Sequence, residues 1–150
     1  SNFNKSFLLK VSPYLDDQSI DNIVQLSLEN NIDGLILTNT TDRNRENLLD
    51  EKKNEKGGLS GKPIQALSTS YIKKFYKKLN GKIPIIGVGG IDSGKSAFEK
   101  ISAGASALQL YTAMIYKGPI VVKKIKEELI TLLKKEGFKN VEECVGSNLN

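Results

Sequence analysis

Histidine is absent from all 150 residues, which excludes His-based zinc sites and the Ser–His–Asp and Cys–His catalytic arrangements. Tryptophan is also absent, and there is one cysteine, Cys144. A lone cysteine permits no intrachain disulfide and no thiolate metal cluster, and it points to a reducing compartment. No apolar run approaches the roughly 18 residues of a membrane span. No secretory leader pattern opens the chain. Acidic residues number 17 against 22 basic ones, a formal net charge of +5. The lysines concentrate at 73–78 and 123–139, on helical patterns whose solvated faces account for them. Attraction to an anionic membrane or to nucleic acid is the alternative. Aromatics are not interleaved with these lysines in a stacking pattern, which argues against nucleic acid as a partner.

What is present fits one globular domain, with 39% apolar and 26% charged residues. Strand and helix patterns alternate. "FLLKV" (7–11), "GLILTN" (34–39), "PIIGVG" (84–89) and "SALQLY" (106–111) are short apolar runs that predict strands. A helix follows the first, with Ile20, Ile23, Val24 and Leu28 on one face and Ser19 or Asp17 as cap. A long polar stretch, 41–58, follows the second strand. A helix over 62–80 has Pro63 in its first turn, an Ile64, Leu67, Tyr71, Phe75, Leu79 stripe, and Asn80-Gly81 as its stop. A short helix spans 93–104. The last runs from Pro119 to Glu136, with Val121, Ile125, Leu129, Leu132 and Leu133 inward. Four βα units in a row predict an α/β fold with a parallel sheet covered on both faces. Both an open doubly wound sheet and part of a (β/α)₈ barrel produce this pattern. A whole barrel typically takes about 250 residues.

Polar residues cluster where the strands end, which is where parallel α/β folds bind ligands. "IIGVGGIDSG" (85–94) resembles a dinucleotide fingerprint at Gly87 and Gly89 but has Asp92 where the third glycine belongs. If the four units are barrel strands 5 to 8, this loop and "QLYTA" fall where barrels frequently hold a phosphate. Lys10 in "LLKVS" is either a strand-end lysine reaching solvent or a cation facing a ligand. "TNTT" (38–41) is either turn chemistry or a donor–acceptor set for an amide-bearing ligand. "GGLSGKP" (57–63) is a loop signal whose Ser60 has no histidine to act as its base. Tyr111 at a strand end reads first as packing, and Cys144 as a structural thiol.

Together "KVSP", "GLILTNTT", "GGLSGKPIQALST", "IPIIGVGGIDSG" and "GASALQLYTAMIYKGP" resemble, in order and with little length change, the C-terminal half of dihydroorotate dehydrogenases. The last of these and "GFKNVEECVG" are closer to the membrane-associated, quinone-dependent class 2 than to class 1. The resemblance implies that 1–150 is the C-terminal half of an FMN-binding (β/α)₈ barrel, about its last four βα units, with no second domain. It implies oxidation of dihydroorotate to orotate in pyrimidine biosynthesis, with quinone as acceptor. By resemblance, Lys10 sits beside the flavin ring, Thr38 contacts flavin, and Asn39 and Thr40 bond the orotate ring. Ser60 and Gly61 lie alongside FMN, while Gly89, Gly90, Tyr111 and Thr112 surround its phosphate. The short helix from about Ser93 would add its positive end.

One departure is Ser12-Pro13-Tyr14, where the family usually has Ala-Pro-Asp. The family's catalytic base, a serine or cysteine, is expected upstream of Ser1, together with other cofactor and substrate contacts and the region that meets membrane and quinone. Neither Ser60 nor Cys144 matches that base. By resemblance the location is the mitochondrial inner membrane or a bacterial cytoplasmic membrane. The alternatives are a flavin- or phosphate-binding half-barrel that is inactive alone, and another FMN barrel acting on dihydropyrimidines or dihydrouridine. The stretch 41–58 is a candidate lid.

Overall fold

A computed structural model describes residues 5–149. Among these residues four strands, β1 (Leu8–Val11), β2 (Gly34–Leu37), β3 (Ile85–Val88) and β4 (Ala107–Gln109), form one parallel sheet in chain order. Helices α1 (Asp17–Glu29), α2 (Gln65–Leu79) and α3 (Gly94–Ser102) make the crossovers. After β4 come α4 (Thr112–Lys117), α5 (Ile120–Lys135) and α6 (Val141–Cys144). Two of these, α4 and α6, are absent from the sequence-based reading, because runs of six and four residues are too short to show helical periodicity. The strands are shorter than predicted and stop at Val11, Leu37, Val88 and Gln109. Thr38, Asn39, Gly89 and Tyr111 therefore lie in the loops just beyond them.

The pleat divides the sheet into two unlike faces. Val11, Leu35, Leu37 and Ile85 are buried under the helices, where Ile20, Val24, Tyr71, Ile72, Phe75 and Leu79 complete the main core. Phe75 and Ile72 are fully buried, each worth about 1.5–3 kcal/mol of transfer free energy. On the other face, Leu8, Lys10, Ala107 and Gln109 are exposed and Ile36, Ile86 and Val88 half-buried. The sequence predicted a sheet covered on both faces; among the described residues only one face is covered by helices. The register lines up Lys10 with Ile36, Ile36 with Ile86, and Ile86 with Ala107, so the open face is one continuous strip.

Local signals explain most helix ends. Asp16, rather than Ser19 or Asp17, caps α1, its carboxylate accepting from Ser19 N at 2.7 Å. This bond and the backbone around it hold the Asp16 carboxyl below its ordinary pKa. Asn80, at φ 50°, ends α2 as expected. The Tyr71 hydroxyl accepts from Leu15 N and donates to Leu15 O, tying α2 to the β1–α1 loop. Lys74 and Lys78 pair with Asp17 and Asp21 of α1. Part of the 73–78 lysine run thus stitches two helices, at the roughly 0–1 kcal/mol of exposed pairs.

Candidate functional site

The carboxyl ends of the strands open into a cavity of about 1220 Å³. Nine of the ten sequence-predicted site residues line it: Lys10, Thr38, Thr40, Ser60, Gly61, Gly89, Gly90, Tyr111 and Thr112. Asn39 stands apart, being exposed, with its side-chain carbonyl accepting from Thr40 N at 2.9 Å. Lys10 projects from the open face of β1 into this space while still reaching solvent. Its exposure fits the strand-end reading, and its place in the lining leaves it available to a ligand.

Three loops meet at the end of the cavity formed by β3 and β4. The Ser60 and Thr112 hydroxyls lie 2.9 Å apart and join the loop before α2 to the start of α4. Gly61, at φ 76°, passes so close that an added Cβ would stand 2.8 Å from the Thr112 side chain. Gly89 and Gly90 follow β3 with φ of 114° and 74°. A Cβ on Gly90 would lie 2.4 Å from Gln65 Cβ and 3.0 Å from Gly61 O. Glycine is required here both for the left-handed backbone and for the lack of room. Lys117 in α4 donates to Asp92 O at 3.0 Å and pairs with its carboxylate at 3.2 Å, fastening α4 to the glycine turn.

Two details depart from the sequence-based picture. The positive end of α3 does not face the cavity. Ser93 and Ser96 form a capping box there, and the Glu128 carboxylate of α5 accepts from Gly94 N at 2.5 Å. The helix that begins at the cavity is α4, whose cap residue Tyr111 makes no side-chain capping bond. Its first amide groups are therefore left without a side-chain partner. The second detail is Lys100 in α3, which is fully buried. Its Nζ donates to Ser68 Oγ at 3.0 Å, Thr69 Oγ1 at 3.1 Å and Gln65 O at 3.4 Å. Burial pulls its pKa down to about 8, partly countered by Glu99. A signal for it exists in the sequence: Lys100 follows Ala97 by three residues and precedes Ile101, on the apolar stripe of a short helix.

The stretch 41–58 forms one wall of the cavity through Leu48 and Gly58. It is organised throughout: Thr41 bridges Leu59, residues 51–54 form a 3₁₀ turn, and the Arg45 guanidinium donates to Lys53 O, Glu55 O and Gly57 O. Tyr14, the departure noted in "KVSPY", anchors it from across the cleft. Arg43 stacks 5.1 Å from its ring centroid, and its hydroxyl accepts from Asn44. Cys144 is buried with Ile101 and Leu133, and burial raises its thiol pKa, as befits a packing residue. Among the described residues, no group of three or more His, Cys, Asp or Glu side chains is placed to hold a metal ion. Likewise, no helix among them is long and apolar enough to cross a membrane.

Comparison with known proteins bears on this arrangement directly. The family model described as dihydroorotate dehydrogenase matches residues 1–133. The mitochondrial dihydroorotate dehydrogenase (quinone) of Mus musculus is 49% identical over 139 residues, covering 93% of this chain and 35% of that protein. The quinone enzyme of Azorhizobium caulinodans is 43% identical over 142 residues, covering 95% and 40%. The ligand-free dihydroorotate dehydrogenase structure from Eimeria tenella superposes with a TM-score of 0.91 at 45% identity, over 94% of this chain and 39% of that one. This chain therefore spans well under half the length of these relatives. The fold is accordingly a four-unit portion of a (β/α)₈ barrel. With its glycine-turned cavity at the strand ends and this extent of likeness in sequence and shape, the chain belongs to the dihydroorotate dehydrogenase family.

Proposed function

We propose that this chain is the C-terminal half of the barrel of a quinone-dependent dihydroorotate dehydrogenase, and that its cavity holds FMN and part of the substrate. The observation that carries the proposal is the convergence of Gly61, Gly89-Gly90 and the uncapped start of α4 at one end of a cavity with Lys10 in its lining. A phosphate suits the first end, where glycine backbone and the Ser60 and Thr112 hydroxyls come together. The flavin suits the remainder. When bound, FMN supplies the two-electron acceptor that links dihydroorotate oxidation to quinone reduction.

The chain's own residues then have separate tasks. Lys10 places a cation beside the ring, where it favours the negative charge gained on reduction. Thr38 and the Ser60-Gly61 loop fix the flavin laterally. Thr40 offers its hydroxyl to the flat, amide-bearing pyrimidine, and Asn39, which stands outside the cavity lining here, is assigned to the same ligand by the family resemblance. Tyr111 and Thr112 close the phosphate end. By the family resemblance, the base that takes the substrate proton is assigned to the part of the barrel this chain does not span, and neither Ser60 nor buried Cys144 matches it. Class 2 membrane association, mitochondrial or bacterial, belongs to the same proposal.

The test is a pair of measurements on the 150-residue chain. FMN should bind, read as quenching of flavin fluorescence, and should bind more tightly than riboflavin, which lacks the phosphate. Dihydroorotate oxidation with a quinone acceptor should be undetectable, because on this reading the base lies in the part of the barrel that the chain does not span. Turnover above background would overturn the assignment of the base, and absence of FMN binding would overturn the cradle. A second reading, a flavin-phosphate half-barrel inactive by itself, is favoured by the span of 35–40% of the relatives above and shares the same expected result.

A further inference from the structure

The Lys100 ammonium is fully buried, yet among the described residues no carboxylate lies within ion-pair distance of it. Its neighbour Glu99 turns its carboxylate to Gln65 Nε2 at 3.0 Å instead. A buried cation in this state is costly unless something offsets it. Its three bonds all reach the first turns of α2, to Gln65 O, Ser68 Oγ and Thr69 Oγ1. Those residues underlie the glycine turn. The Ser68 hydroxyl donates in turn to the carbonyl of Val88, the last residue of β3, at 2.5 Å, and a Cβ on Gly89 would stand 3.1 Å from Ser68 Cβ. Gln65 fills the space behind Gly90. The ammonium is thus one hydroxyl away from the carbonyl that precedes Gly89-Gly90, on the side opposite the cavity.

We propose that Lys100 is a positioning residue for the phosphate end of the site: through Ser68 it sets the Gly89-Gly90 turn, and it lends a buried positive charge to a phosphate dianion on the turn's far side. The proposal rests on the FMN reading above and extends it to a residue that touches no ligand. The ligand chemistry it serves is a phosphate monoester. Packing alone predicts that losing Lys100 harms every ligand of the cavity alike. Positioning and charge predict a loss confined to the phosphate.

The experiment titrates FMN and riboflavin into the unaltered chain, Lys100→Met and Ser68→Ala, with circular dichroism confirming the fold of each. Lys100→Met keeps the length of the side chain and removes the charge. It is expected to weaken FMN binding about tenfold, the scale of one charge acting through a partly screened interior. Riboflavin binding should stay within about twofold on the same scale. Ser68→Ala should shift FMN in the same direction by a smaller factor and leave riboflavin unmoved. Equal losses for both ligands, or no loss for either, would overturn the proposal while leaving the FMN reading intact. Failure of the unaltered chain to bind FMN would overturn both. If Lys100→Met does not fold, Ser68→Ala decides by the same criterion.

Discussion

Gly90 shows how little freedom the glycine turn at the cavity's end has. Its φ is 74°, and an added methyl would lie 2.4 Å from Gln65 Cβ, a distance real side chains do not tolerate. Gly90→Ala is expected to cost about 1–3 kcal/mol of stability from backbone strain and overpacking together, read by denaturant unfolding, and to abolish FMN binding. Lys100 makes a second prediction at this scale. Its pKa is near 8 in the folded chain against 10.5 ordinarily, so between those values the unfolded chain holds more protons than the folded one. Stability therefore rises with pH across that window, and the whole cost of the buried charge is present below pH 8. The shift corresponds to about 3 kcal/mol. Unfolding free energies of the flavin-free chain and of Lys100→Met, compared from pH 7.5 to 10.5, should show that rise only where Lys100 is present. Parallel curves would contradict it. Lys100 was legible in principle, as a lysine on an apolar stripe, but its partners on α2 lie more than 30 residues away in sequence.

Among the elements, the stretch 41–58 is held by a few polar groups rather than by a core. Arg45 satisfies three carbonyls of its far limb. Arg45→Ala is expected to leave the sheet and helices intact, to cost about 1–3 kcal/mol locally, and to make 46–57 the first site of limited proteolysis. Unchanged cleavage would show that the loop's order comes from elsewhere. This loop was readable only as a polar interval, because its structure depends on one guanidinium meeting backbone carbonyls 8 to 12 residues on. The helix start at the glycine end of the cavity also differs from the one expected from sequence. Ser93-Gly94 looked like a free helix start, but Glu128 in α5 occupies it. The six residues of α4 gave no periodic signal.

At the scale of the whole molecule, the uncovered sheet face and, among the described residues, two unpaired strand edges dominate. β1 pairs only with β2 and β4 only with β3, and Phe7 and Leu8 beside the first edge are 64% and 42% exposed. Open edges flanked by apolar residues invite pairing with another chain. The 150-residue chain is therefore expected to self-associate in a concentration-dependent way in sedimentation velocity. A single stable monomer at high micromolar concentration would contradict this. The same feature explains why the two-faced burial predicted from apolar strands does not hold within this chain. The alternating residues Leu8, Ile36, Ile86 and Val88 are as apolar as those beneath the helices, but among the described residues no helix covers them and they stay exposed or half-buried.

The sequence alone determined the alternation of strands and helices, the parallel class of the sheet and most of the polar residues that line the strand-end cavity. These depend on local periodicity, glycine placement and motif order, which are written in consecutive residues. Tertiary structure decided the rest: which sheet face stays open, which helix start faces the cavity, and which buried cation stands behind the glycine turn. Each of these depends on groups far apart in the chain meeting in space. Glu128 reaches Gly94 across 34 positions, and Lys100 reaches Ser68 across 32.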